Sequence, residues 1–273
     1  MEGSFPDKSF QRAPRERDAP FGAEMRAAVH TLGERNPVVM DVTTLAPGST
    51  AKLSSISHVA WDDRSDVLRR IVEPHLNLCI WRRKADPFVV SALGAILRAK
   101  IPFRLDLRAP ARERIEQEIR DVFPALAAMR GCAHLVDDAH LLASLFAELA
   151  GTQHPRVRLE RVEDDGCALF HSDTLRMRML CTYAGPGTQW LENSNARRDQ
   201  LGSRGRSIAE ANAAIVIDPS AIRSISSWHV AVFKGRHWND VEDYSLIHRS
   251  APVGHRGDYR IRLCIDIPDD GDC

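Results

Sequence analysis

The spacing of apolar residues changes character near residue 155. Before it, apolar positions recur at helical intervals. In DRSDVLRRIVEPHLN, Val67, Leu68 and Ile71 fall on one helical face behind an Asp or Ser cap candidate. Pro87 opens PFVVSALGAILRA, which is apolar nearly all round, and ARERIEQEIRDVF is a charged amphipathic helix. DDAHLLASLFAELAG ends at Gly151, a residue type suited to the position just past a helix. LCIWRR, from Leu78 to Arg83, reads as a strand, and VVMDV after Pro37 marks the expected start of the folded core. Residues 1–36 are polar and charge-mixed and are expected to form a loose arm.

After residue 155 the runs are short, β-branched or alternating, and bounded by Gly, Pro, Asn and Asp. They are RVRLERV, CALFHSD, LRMRMLCTY, SSWHVAVFKG, SLIHRS and YRIRLCIDI. In the last, Tyr259, Ile261, Leu263, Ile265 and Ile267 share one face, and Arg260, Arg262, Cys264 and Asp266 the other. The expected fold class is α+β. Residues 37–273 form one domain, with mainly helical support over 37–154 bracing an antiparallel barrel or jelly roll over 155–267. The tail IPDDGDC is acidic and expected to fray.

Composition narrows the partners. Lys plus Arg and Asp plus Glu each number 37, so the formal net charge is zero. That argues against nucleic-acid or membrane-surface binding driven by charge. No apolar run approaches the ~20 residues of a membrane span. The first twenty residues lack a signal-peptide core and are too acidic for a transit peptide, so a cytoplasmic protein is expected. The six cysteines are irregularly spaced without a CxxC pair, which reads as free thiols rather than a zinc finger or disulfide framework. There is no GxSxG, Walker or GxGxxG motif.

The sharpest chemistry is His171-Ser172-Asp173 with His248 downstream. Two imidazoles and a carboxylate can hold one face of an octahedral ion and leave positions open, which suits non-haem Fe(II). On a strand, residues 171 and 173 point the same way. With 11 His in the chain, about one His-x-Asp is expected by chance, so context must carry the weight. His171 and His248 both sit where a strand runs into a turn. Arg260 follows on the next strand, and an Arg fork can clamp a carboxylate. A metal triad plus a downstream Arg is what 2-oxoglutarate needs: its keto acid on iron, its far carboxylate on Arg260, with Arg262 as a substitute. Thr182 and Tyr183 have opposite parity, so at most one faces inward to bond the co-substrate. AGPGTQW forms a tight turn in which Gly187 is expected at positive φ, presenting Trp190 either to a substrate or to the core. Arg249 is a second candidate substrate contact. Asp137-Asp138-x-His140 reads as a helix start capped by acids, with a second metal site as its alternative. GSRGRS reads as a mobile loop.

FHSDTLRMRMLCTYAGPGTQWL, with VAVFKG and LIHRSAPV downstream, resembles the bacterial domain-of-unknown-function 1826 family. The resemblance implies a bacterial cytoplasmic protein, associated with zinc-responsive gene neighbourhoods, and supplies no activity. More remotely, the order HxD, GxGT-type turn, Gly-ended strand, His and then Arg is similar to Fe(II)/2-oxoglutarate dioxygenases of the prolyl-hydroxylase kind. That similarity implies a double-stranded β-helix with helices on one face. It makes His171, Asp173 and His248 iron ligands and Arg260 the oxoglutarate clamp. The long separation of Asp173 from His248 then calls for an insertion, for which NARRDQLGSRGRSIAEAN is the natural candidate. The expected substrate is a peptide side chain or a small molecule. Two alternatives stand: a non-catalytic zinc-binding protein using the same ligands with Cys181 or Cys264, and a cupin-like interaction module without metal.

Overall fold

The computed structural model describes residues 57–98, 103–108, 111–163, 167–238, 244–253 and 259–267. The expected N-terminal arm, the VVMDV segment and the acidic tail lie outside them. The strands are β1 (Val59–Asp62), β2 (Leu78–Trp81), β3 (Arg104–Arg108), β4 (Arg156–Val162) and β5 (Met177–Ala184), then β6 (Gln189–Trp190), β7 (Arg223–Ser224), β8 (Val230–Lys234), β9 (His248–Arg249) and β10 (Arg260–Asp266). Seven form a large sheet in the order β1-β2-β8-β5-β10-β4-β3, and three form a small one, β7-β6-β9. Among the described residues, only β1 and β2 pair in parallel. The fold is mixed α/β with a mostly antiparallel large sheet. Residues 37–154 supply β1, β2 and β3 to that sheet as well as helices, so they do more than brace it.

Strand alternation separates two interiors. Val157, Leu159, Met177, Met179, Val230, Val232, Ile261, Leu263 and Ile265 face one way. They pack against helices α1 (Pro87–Arg98), α2 (Arg112–Val122), α3 (Pro124–Ala127) and α4 (Arg130–Ala150), and the 3-10 helix Ser65–Val72. Phe146, Leu135, Ile115 and Ile119 come from the helical side and are fully buried. Each such side chain contributes about 1.5–3 kcal/mol. On the opposite face Leu78, Ile80, Leu180, Ala231, Phe233 and Cys264 pack against Trp190, Ile225 and Leu246. The parity read from YRIRLCIDI therefore holds.

Local chemistry sets some helix ends. Asp86 accepts from the backbone N–H groups of Phe88 (2.8 Å) and Val89 (3.3 Å), and Pro87 fills the first helical position of α1. Gly151 closes α4 in the left-handed region at φ 64°. The start of α4 departs from the sequence reading. It begins at Arg130, without a side-chain cap, so Asp137, Asp138 and His140 lie inside the helix rather than at its N-terminus. The AGPGTQW turn departs as well. Gly185, not Gly187, has positive φ, at 83°. Gly187 is required for a different reason: a Cβ there would stand 1.7 Å from the Ile225 carbonyl oxygen.

The NARRDQLGSRGRSIAEAN stretch lies between β6 and β7 and runs into helix α5 (Ile208–Ile215), opened by a Ser207–Glu210 capping box. It is tied down rather than loose. Arg197 donates to the Val216 carbonyl, and Arg206 donates to those of Ser203 and Gln200. Among the described residues, no helix is long and apolar enough to cross a membrane.

Candidate metal centre

The small sheet and the loop ahead of β5 bring the three predicted ligands together. His171 and His248 form an isolated antiparallel bridge, their backbones exchanging hydrogen bonds of 3.0 and 2.9 Å. Their rings therefore stand side by side, centroids 4.7 Å apart. Asp173 reaches the same point. Its Oδ1 is 3.5 Å from His171 Nε2, and its Oδ2 is 3.6 Å from His248 Nε2. One donor atom from each residue lies within 4.8 Å of the others, and no cysteine joins the cluster among the described residues.

The imidazoles are oriented for coordination. His171 Nδ1 bonds the Leu169 carbonyl (2.8 Å) and His248 Nδ1 the Leu246 carbonyl (3.3 Å). A carbonyl only accepts, so these contacts place a proton on each Nδ1 and turn each Nε2 toward Asp173, where it can coordinate an ion once unprotonated. Burial pushes the His248 imidazole down to about 4, so it is neutral near pH 7. Burial also opposes charge on His171, but hydrogen bonds with Asp173 and the Leu169 carbonyl raise its pKa overall. Burial likewise disfavours the Asp173 carboxylate; the His248 ring beside it, the His171 hydrogen bond and Arg178 together outweigh that and hold it well below its usual range.

Arg178 on β5 and Asp266 on β10 are cross-strand partners behind Asp173. Arg178 Nη1 lies 2.8 Å from Asp173 Oδ2, and its Nη2 donates to Asp266 at 2.9 Å. Asp266 also pairs with Arg158. The contact with Asp173 is an ion pair rather than an aligned hydrogen bond, since Asp173 Oδ2 is buried and makes none. Sequence reading missed Arg178 and Asp266 in this role. Their signal was shared parity with Thr182 in LRMRMLCTY and with Arg260 and Cys264 in YRIRLCIDI.

Arg260 is fully buried. Its Nη2 donates to Ser250 Oγ at 2.6 Å, while Nε and Nη1 have no partner among the described residues. Burial, reinforced by the Arg262 charge, draws its pKa down to about 10. A buried guanidinium without a carboxylate is costly, and its two idle donors are suited to an anion. Ser250, a second residue missed, is two positions past His248, about 6–7 Å of extended chain.

Other expectations are corrected. Arg262 is not a substitute clamp, because its Nε and Nη2 already grip Glu160 at 2.9 and 2.7 Å. Tyr183 faces the helices, where its hydroxyl donates to Asp138 at 2.6 Å; Thr182, of opposite parity, shares the face of Arg178 and Leu180. Asp138 is occupied by Arg83 and Tyr183 and is no second metal site. Cys181 is on the helical face with Tyr183, and Cys264 contacts Arg158 instead of the cluster. Trp190 packs into the interior beside Phe233. Arg249 lies over the Phe170 ring and bonds Gln189, on the other side of β9 from His248.

A search of curated proteins found no match. Among solved structures, the chain is similar to the rice dioxygenase for auxin oxidation, at 12% identity over 71% of this chain and 74% of that one, with a TM-score of 0.41. It is also similar to AtDAO1, dioxygenase for auxin oxidation 1 from Arabidopsis thaliana, in its 2-oxoglutarate complex (13%, 70% and 76%, TM-score 0.37). A third is the Fe(II)/(alpha)ketoglutarate-dependent dioxygenase TqaL (14%, 69% and 78%, TM-score 0.31). A model of the family described as "Protein of unknown function (DUF1826)" matches residues 62–266, and the chain belongs to that family.

Proposed function

We propose that this protein is an Fe(II)/2-oxoglutarate-dependent oxygenase acting on a peptide side chain or small molecule. The observation that carries the reading is a pairing of two sites. A His171–Asp173–His248 cluster offers three ligand atoms to one ion, and a fully buried arginine with two idle donors stands beside Ser250, two residues past His248. Both halves fit the group. Two imidazoles and a carboxylate suit iron and leave coordination positions open. The guanidinium supplies the charge-assisted bonds that a distant carboxylate of a five-carbon diacid requires.

Strand order supports the finer fold reading. From β4 onward, extended segments fall to the large sheet, then the His171 segment to the small one, β5 to the large, β6 and β7 to the small, β8 to the large, β9 to the small and β10 to the large. We read this as a double-stranded β-helix, with the cluster between its two sheets.

With iron and oxoglutarate bound, the chemistry supplied is oxidation of a substrate by O2, with oxoglutarate losing CO2 to become succinate. The chain's own residues do the rest. His171, Asp173 and His248 hold and orient the ion, and Leu169 and Leu246 fix the imidazole tautomers. Arg260 with Ser250 orients the co-substrate, Thr182 lies on the inward face, and Trp190 and Phe233 exclude water. Zinc storage would need a fourth protein ligand to close the site, and the cluster has three among the described residues. Anaerobic loading with Fe(II), followed by oxygen and oxoglutarate, tests the reading. Succinate formation in wild type that is lost in Arg260→Met supports it; equal succinate from both overturns it.

A further inference from the structure

We propose that Arg178 is a positioning residue that sets the charge of the metal centre. It lets an ion held by His171, Asp173 and His248 keep most of its double positive charge and so favour a dianionic co-ligand. The inference rests on the metal and oxoglutarate reading above and adds a residue to it.

The observations form a chain. Asp173 is buried and would ordinarily cancel one unit of the ion's charge. Arg178 Nη1 stands 2.8 Å from its Oδ2. The guanidinium cannot drift, because β5 and β10 place Arg178 opposite Asp266, which it grips through Nη2 at 2.9 Å. Asp266 is in turn shared with Arg158. Arg158, Asp266, Arg178 and Asp173 thus sum to zero before any metal arrives. Because Asp173 Oδ2 makes no aligned hydrogen bond, Arg178 offsets its charge while leaving lone pairs free for an ion. Asp173 and Asp266 are buried, with Arg178 and Arg158 only partly exposed, so solvent screens the effect weakly. Replacing Arg178 with a neutral residue leaves a net negative charge beside the ion. Cations should then bind more tightly and dianions more weakly.

The test measures two affinities in opposition. Co(II) is titrated into metal-free wild type, Arg178→Gln, Arg178→Lys and Asp266→Asn, and oxoglutarate is then titrated into each Co(II)-loaded protein anaerobically. For Arg178→Gln the expected result is Co(II) affinity raised several-fold and oxoglutarate affinity lowered about tenfold. Arg178→Lys, which keeps the charge, should recover oxoglutarate binding. Asp266→Asn, which adds a net positive charge, should shift both affinities the other way. It also serves as the second variant if Arg178→Gln does not fold. A merely structural arginine would weaken both affinities together, and that result, or no change in either, overturns the proposal. Failure of wild type to bind Co(II) would instead overturn the metal reading itself.

Discussion

His171 and His248, far apart along the chain, exchange backbone hydrogen bonds across one antiparallel bridge. The main chain therefore fixes the spacing of the two imidazoles, and Asp173 has only to turn toward them. A site built this way is preorganised by strand pairing rather than by the ion.

The first prediction concerns the ligands. His171 is the most exposed of the three, its side chain about a third accessible, so its truncation should not damage the core. His171→Ala should lower Co(II) or Fe(II) affinity on the order of a hundredfold or more, with the thermal midpoint of the metal-free protein nearly unchanged. Calorimetric titration measures the first and a thermal melt the second. Undiminished metal binding would remove His171 from the ligand set.

Arg260 separates binding from stability. Its loss should weaken oxoglutarate binding roughly a hundredfold, the worth of two charge-assisted hydrogen bonds. Arg260→Met also removes a buried charge that lacks a carboxylate partner, so stability should hold or rise. Urea denaturation beside an oxoglutarate titration checks both. A large fall in stability with unaltered oxoglutarate binding would make Arg260 a structural residue.

The metal-free protein should carry an acid signature. The folded pKa of His248 is depressed to about 4 from an ordinary 6.5. Between those values the unfolded chain binds a proton that the folded chain refuses, so stability falls as pH drops through that window. His171, raised when folded, works in the opposite sense: its contribution is present below 6.5 and fades as pH rises through its folded value. His248→Gln removes the first effect, and with it the support that the ring gives the Asp173 carboxylate. Wild type should lose on the order of 1–3 kcal/mol relative to that variant between pH 7 and pH 4. Urea midpoints measured in chelator at several pH values would expose the difference, and parallel curves would contradict it.

Asp138 tests the helical side. It holds the buried Arg83 and accepts from Tyr183. Asp138→Ala strands the Arg83 charge and should cost about 3–5 kcal/mol of stability without changing metal affinity in the protein that remains folded. Intact stability with lost metal binding would restore Asp138 as a ligand.

Period-two alternation made YRIRLCIDI and LRMRMLCTY legible, because strand parity depends on neighbours alone. It also put Arg260 on a strand; His171 and Asp173 do meet, but through an isolated bridge and a loop rather than the continuous strand expected of CALFHSD. Which face meets the helices is decided by distant segments, so Tyr183 was as eligible as Thr182 until α4 covered it. Arg178 escaped notice because a role shared between Asp173 and Asp266 depends on β5–β10 register, which no local pattern encodes. The α4 start was misread because Met129 offers no capping side chain, leaving the acidic pair as the visible signal.

The most direct test is oxoglutarate binding to anaerobic protein with and without Fe(II), followed by the visible charge-transfer absorption of a keto acid chelated to iron. Saturable binding at one site, dependent on Fe(II) and lost in Arg260→Met, is the expected result. Wild-type protein that holds Fe(II) yet shows no such absorption, or that binds oxoglutarate as tightly without metal, would contradict the pairing of His171, Asp173 and His248 with Arg260.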